Sequence, residues 1–281
     1  MTTHGLADTG RAEIGPRVLA AWDAFLEAAA AADLGRPSGL FGWRGQEVCV
    51  HLGLWGEHWA VHGLIASARA GGAGVAPTVE AENAAVLRPH QHASKSEVLA
   101  ALRRHRDAVA LYFANSDRTL DLAPAVAPIG RLPLLSLLLG QAYELAVHAL
   151  DLVDCGAPPP PAGLLDSGLA GLAELIGGLA VEAGLTGDFA LLAGSGQGAS
   201  GWGLAVGGDG WTVSPVGASR LGGTVISGDA ADLLRAAAGR SDARALLAAR
   251  QIRVQSLGGL LRLAPLADTP GAPGAPLLRL A

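Results

Sequence analysis

The segment "QAYELAVHALDL", residues 141–152, places Glu144, His148 and Asp151 at helical spacing inside an otherwise apolar run. Each helical residue advances about 100°, so with Glu144 at zero His148 lies at roughly +40° and Asp151 at roughly −20°. Leu137, Gly140 and Cys155 share that stripe, which predicts that the trio points into a core. A carboxylate there is costly unless it is paired or bound to a metal. A Glu four residues before a His can grip one cation, and Zn²⁺ accepts both nitrogen and carboxylate oxygen. A lone inward His is more often a satisfied core residue; the Glu/His pair is what points to a metal. Asp151 is expected behind the ligands, fixing the tautomer of His148. Its competing reading is a charge pair with an arginine of the bundle.

A third ligand has to come from another element. "GQEVCVHLGLWGEHWAVHGLIASARA" (45–70) reads as one helix, and His51, His58 and His62 fall within about 20° of one line along it. His51 and His62 are about 16 Å apart on such a helix, at ~1.5 Å per residue, so one ion cannot take all three. The spacing leaves two options open: His51, or the pair His58 and His62.

The elements that must hold these groups are helical in the first half of the chain. Residues 12–33 form an Ala-rich amphipathic helix with Trp22 and Phe25. The 45–70 helix follows, then a loop, "APTVEAENAAVLRPHQHA", in which His90 and His92 read as solvated. Ser94 and Glu97 form a capping box for a third long helix. Pro133 stands at the first turn of a fourth, about 134–153. Four long helices predict a four-helix bundle over residues 10–155. "CGAPPPPAG" supplies a stiff proline-rich linker at 156–163. Beyond it, at 164–266, a helix (about 165–185), the hairpin "WGLAVGGDGWTVSP", a capped helix "GDAADLLRAAAGR", the strand "IRVQ" and a helix "LGGLLRLA" predict a smaller α+β domain with an antiparallel sheet. Residues 267–281 read as a flexible tail. The fold class is therefore α+β.

Composition narrows the function. The chain has 281 residues, half of them hydrophobic, 16% charged, with net charge −5. Lys95 is its sole lysine, and no basic patch suggests nucleic acid. No run reaches the roughly 18–20 uninterrupted apolar residues of a membrane span. Two cysteines, Cys49 and Cys155, make no disulfide framework and read as buried apolar groups. These features predict a cytoplasmic protein without membrane or nucleic-acid partners, either a monomer or a homodimer. "GSGQGASG" (194–201) lacks the strand and helix of a dinucleotide fingerprint and reads as a loop.

"GWRGQEVCVHLGLWGEH" and "YELAVHALDL" resemble the W-x-x-x-x-V-x-x-H-L and E-x-x-x-H-x-x-D-L segments of DinB-like bundles. These are the N-terminal domains of the mycothiol-dependent maleylpyruvate isomerase family. The second half is similar to the sterol-carrier-like domain that follows this bundle, although "ARQIRVQSLGGLL" lacks the usual Gly-Asp before the last strand-helix turn. The resemblance implies that His51, Glu144 and His148 bind a divalent metal, usually zinc, and so selects His51 over His58 and His62. It also implies mycothiol or a similar thiol as co-substrate, held as thiolate, and a small-molecule electrophile. The reaction is then S-transfer or cis–trans isomerisation, in specialised metabolism for many members. An acidic substrate would want an arginine, for which Arg88, Arg131 and Arg220 are candidates, with Arg220 taken first. Two rivals stand beside this reading: a non-catalytic binding protein for an apolar small molecule or a protein partner, and a metal-free acid–base enzyme on the same scaffold.

Overall fold

The computed structural model describes residues 2–56, 61–75, 78–194, 199–217, 223–269 and 272–280. His58, Arg220 and half of "GSGQGASG" (195–198) lie outside the described residues. The helices are α1 (Arg11–Ala31), α2 (Gly45–Leu52), α3 (Val61–Arg69), α4 (Val79–His90), α5 (Lys95–Ala114), α6 (Leu134–Leu152), α7 (Ala162–Glu182), α8 (Ala230–Ala237), α9 (Ala243–Ala248), α10 (Gly258–Leu263) and α11 (Ala275–Leu278). The strands are β1 (Thr3–His4), β2 (Pro124–Ala127), β3 (Gly130–Pro133), β4 (Gly187–Ala193), β5 (Ser200–Gly207), β6 (Gly210–Gly217), β7 (Val225–Gly228) and β8 (Ile252–Gln255). The α+β class holds.

Two helices form the spine. Every residue of α6 is buried except Gln141 and Glu144. A helix that is apolar all round must be enclosed on all sides, and α6 is packed by α1 on one side and α7 on another. Glycines bring α7 close: a Cβ at Gly171 would lie 2.7 Å from the Leu139 carbonyl oxygen, and one at Gly168 would lie 2.6 Å from the Ala146 Cβ. Length and hydropathy alone would let α7 cross a membrane, yet 83% of its apolar window is buried inside the protein.

The other face of α7 carries a six-stranded sheet in the order β1-β6-β5-β4-β7-β8. The predicted hairpin is β5–β6, in register from Ser200↔Gly217 to Gly207↔Gly210. Inward Trp202, Leu204 and Val206 alternate along β5 with outward neighbours, the period-two pattern of a half-buried strand. The sheet is mixed rather than antiparallel, because β4 pairs in parallel with β7 and β1 in parallel with β6. The β1 pairing takes the N-terminus into the second half of the chain. There the buried Glu174 carboxylate accepts from the backbone N–H of Leu6 (2.8 Å) and Ala7 (3.3 Å) and from the Ser136 hydroxyl (2.7 Å). One continuous core runs from α1 through α6 and α7 to the sheet. The prolines at 158–161 bound α7 but do not separate two cores.

Other local differences have clear causes. The predicted 45–70 helix stops at Leu52. Its terminal carbonyls are taken by the Trp55 indole and the Gly53 N–H, both on Val50 O, and by His105 on Leu52 O. Gly56, at φ 74°, then turns the chain in a conformation that favours glycine. The predicted loop at 76–93 contains α4, capped by the Thr78 hydroxyl accepting from Ala81 N–H. The Ser94/Glu97 capping box of α5 is present as expected. Residues 272–280, expected as a flexible tail, include α11, whose Leu277 and Leu278 are buried, because their apolar side chains find cover in the shared core.

Candidate functional site

A cavity of about 480 Å³ lies between the helical layer and the β2–β3 turn. Glu144 and Gln141, the two residues of α6 left open by its packing, face it. The cavity therefore explains why a buried helix carries polar residues. Glu144 keeps 47% side-chain exposure because it opens into this space, whereas His148, one turn on, keeps 5%.

His51 arrives from the last turn of α2. The ligand atoms of His51, Glu144 and His148 all lie within 4.8 Å of one another. His148 Nε2 is 3.5 Å from Glu144 Oε2. The two imidazole centroids are 5.3 Å apart at 70°. Zinc in four-coordination, about 2.0–2.2 Å from each donor, sets its donors roughly 3.3–3.6 Å apart. The Glu/His separation and the mixed nitrogen and oxygen donors fit a divalent ion of that kind.

Behind His148 stands Asp151, 2% exposed, whose Oδ2 is 2.9 Å from His148 Nδ1. A carboxylate at that distance accepts a hydrogen bond from Nδ1–H and leaves Nε2 turned toward Glu144 and His51. Arg240 completes the chain of contacts, with Nε donating to Asp151 Oδ1 at 3.1 Å and Nη2 to Oδ2 at 3.3 Å. Asp151 thus contacts both a histidine and an arginine. The arginine comes from the second half of the chain rather than from the bundle.

Burial, and then the charge of His148, push His51 down to about 4 and favour its neutral form, while Asn83 hydrogen-bonds its ring. Burial opposes charge on His148, but the bonds to Asp151 and Glu144 outweigh it and raise the group to about 9. Burial likewise works against Glu144 and Asp151, yet His148 holds both below the ordinary carboxylate range, helped by Arg240. Across the cavity, burial and the neighbouring charge of Glu144 raise Glu82 to about 7.

His62 is exposed on α3, and Arg88 and Arg131 are exposed as well. Arg131 donates to Gly71 O at 2.8 Å. None of the three lines the cavity. His90 is in α4 rather than a loop, with its ring stacked on Trp55 at 4.0 Å. Both cysteines are buried away from the cavity, as expected. Burial pushes the Cys49 thiol up to about 12. The sequence reading missed Glu82, Asn83 and Arg240 as site residues. For the first two a signal existed, since Thr78 followed by Glu80 and Glu82 is a helix start. Arg240 carries no local signal, because it meets Asp151 only through the tertiary fold.

The fold and site define an α+β protein whose helical layer offers a His/Glu/His donor cluster to a cavity. Residues 16–153 match the family model described as the mycothiol maleylpyruvate isomerase N-terminal domain. The whole chain is similar in fold to the crystal structure of the mycothiol-dependent maleylpyruvate isomerase and to that of its histidine-to-alanine mutant. In each case TM-score is 0.55 and identity 16%, with 92% of this chain and 97% of the other covered. No curated protein matches the chain.

Proposed function

We propose that this chain is a thiol-dependent isomerase or S-transferase that uses a divalent metal, zinc in the first instance, held by His51, Glu144 and His148. The observation that carries the proposal is the donor cluster within 4.8 Å at the wall of a cavity. A second fact gives it direction: the chain's own thiols, Cys49 and Cys155, are both buried elsewhere. Thiol chemistry in this cavity therefore needs a thiol from outside, and the family's mycothiol is the first candidate. When bound, the ion would lower the pKa of a thiol that joins it and keep the sulfur as thiolate near neutral pH.

The residues would divide the remaining work. His51, neutral, and His148, oriented by Asp151, hold their nitrogens toward one point. Glu144 adds the negative charge that favours a cation there. The thiolate adds to one end of an activated carbon–carbon double bond, forming a C–S bond while the π pair moves toward the activating carbonyl. Rotation about the resulting single bond and expulsion of the thiolate return the alkene in its other geometry. If a proton reaches the carbon instead, the product is a thioether. Glu82, near neutrality in pKa, is placed to take the thiol proton and return it. The apolar walls exclude water that would compete for either partner. The sterol-carrier-like reading of the second half stays part of this proposal, with Arg240 as its reach into the site. The cytoplasmic placement rests on the family and on the burial of α7.

The test uses full-length protein without a histidine tag. Near-stoichiometric metal is expected in the wild type and its loss in His51→Ala and Glu144→Ala. Mass spectrometry of products from the metal-loaded protein, mycothiol and candidate electrophiles should show isomer or adduct, with a second thiol giving less. Equal metal content in wild type and both variants sinks the metal site. Turnover that survives strong chelation favours metal-free acid–base work by Glu82 and His148 instead. Tight binding of apolar molecules with no turnover favours the binding-protein reading, which the apolar cavity wall supports.

A further inference from the structure

The substrate class is the open part of the proposed function, and the walls of the cavity bear on it. A substrate inferred from those walls rests on the proposed function for its reaction but not for its binding. Trp22, Trp43 and Trp55 form much of the wall, with aliphatic side chains filling the gaps. Two of the indoles have already spent their polar atom. Trp22 Nε1 donates to Gln141 at 3.2 Å and Trp55 Nε1 to Val50 O at 2.8 Å. These rings present apolar π surface rather than donors to a ligand.

The cations of the lining are already committed to acids, and His148 lies between Glu144 and Asp151. Glu82 and Glu144 both line the space. Among the described lining residues the one arginine is Arg240, and its guanidinium is committed to Asp151 through three contacts and to Ala238 O. Arg88 and Arg131 are outside the cavity. A cation held by the His/Glu cluster would be committed to the thiol. It would not also neutralise two carboxylates on a second molecule, each of which is costly to bury unpaired.

We infer that the cavity selects an uncharged, largely aromatic or apolar electrophile, such as an unsaturated ester, ketone or quinone-like compound, and rejects the dicarboxylates for which the similar isomerase is named. Besides its proposed proton transfer, Glu82 bears on this choice: as a carboxylate it repels an incoming anion from the cavity it lines.

The test compares methyl cinnamate with cinnamate, and dimethyl maleate with maleate, on the full chain. Binding is followed by tryptophan fluorescence and by ligand-observed NMR, first after chelation and then with zinc and mycothiol present. In both states each ester is expected to bind at least tenfold more tightly than its acid. Glu82→Gln should narrow that ratio at least threefold by strengthening binding of the acid, without weakening the ester. An acid that binds as tightly as its ester in either state overturns the inference. So does failure of all four compounds to bind, or a ratio unmoved by Glu82→Gln. If the esters bind selectively but form neither adduct nor isomer with thiol, the thiol reaction falls and the selectivity stands.

Discussion

His148 carries the most opposed demands of any residue in the chain. Without a metal it is held charged between two carboxylates; with one it has to give up a proton. The sign of its contribution to stability comes from the direction of each shift. His148 is raised to about 9 from an ordinary 6.5, so its stabilisation is complete below 6.5 and is lost as pH rises through 9. Glu144 and Asp151 are lowered from 4.5 and 3.8, so theirs is complete above those values and lost in acid. The metal-free protein is therefore expected to draw its full benefit from this cluster between pH 4.5 and 6.5. Thermal unfolding across pH, compared with His148→Gln, checks this; an identical profile in the variant would remove the cluster as the cause. Zinc affinity should move the other way and strengthen as pH rises from 6 to 9, since each ion bound displaces the His148 proton. Calorimetric titration in buffers of different ionisation heat would count that proton.

At the scale of elements, the site depends on how closely α7 lies against α6. Gly171 sits 2.7 Å, in terms of an added Cβ, from the Leu139 carbonyl, and neither backbone can yield without moving the helix that bears Glu144 and His148. Gly171→Ala should destabilise by about 1–3 kcal/mol and weaken metal binding with it, although it touches no ligand. Urea unfolding and metal titration on one preparation test both halves of that statement. The cap of α5 is a simpler case. Ser94→Ala removes the acceptor for Glu97 N–H and should cost about 1 kcal/mol, with metal affinity unchanged. If Ser94→Ala also weakens the metal, α5 rather than α6 governs the cluster. These elements were legible to different degrees. The period of apolar residues and the Ser94/Glu97 and Pro133 signals located α1, α5 and α6 to within a few residues. The break at Leu52 was not legible, because the groups that end α2 include His105, an element away in space.

Over the whole molecule, the proline run marks a domain boundary in the sequence, and buried packing continues across it. β1 from the N-terminus completes the C-terminal sheet, and α7 is shared by both halves. We expect one cooperative unfolding transition by calorimetry and no folded product from residues 1–155 alone; two resolved transitions would restore the two-domain picture. Arg240 extends the same coupling to the site. Arg240→Ala leaves the 2% exposed Asp151 carboxylate with His148 alone. It should lower metal affinity by about tenfold through the orientation of His148, while Arg235→Ala on the preceding helix should not.

The sequence by itself placed Glu144 and His148 together. Glu144 and His148 are fixed to one face by the 3.6-residue period, and Asp151 follows by the same arithmetic, so the fourth long helix was enough to read three of the site's groups. Motif resemblance, not periodicity, chose His51, and the structure brings it to the other two. Only the tertiary structure decided what surrounds them: Arg240 behind Asp151, Asn83 against His51, Glu82 in the cavity lining, and an apolar wall built from several elements. The division is physical. Local period and capping act within a few residues along the chain, whereas the pairing of a buried charge and the shape of a cavity are settled by residues that meet only after the chain has folded.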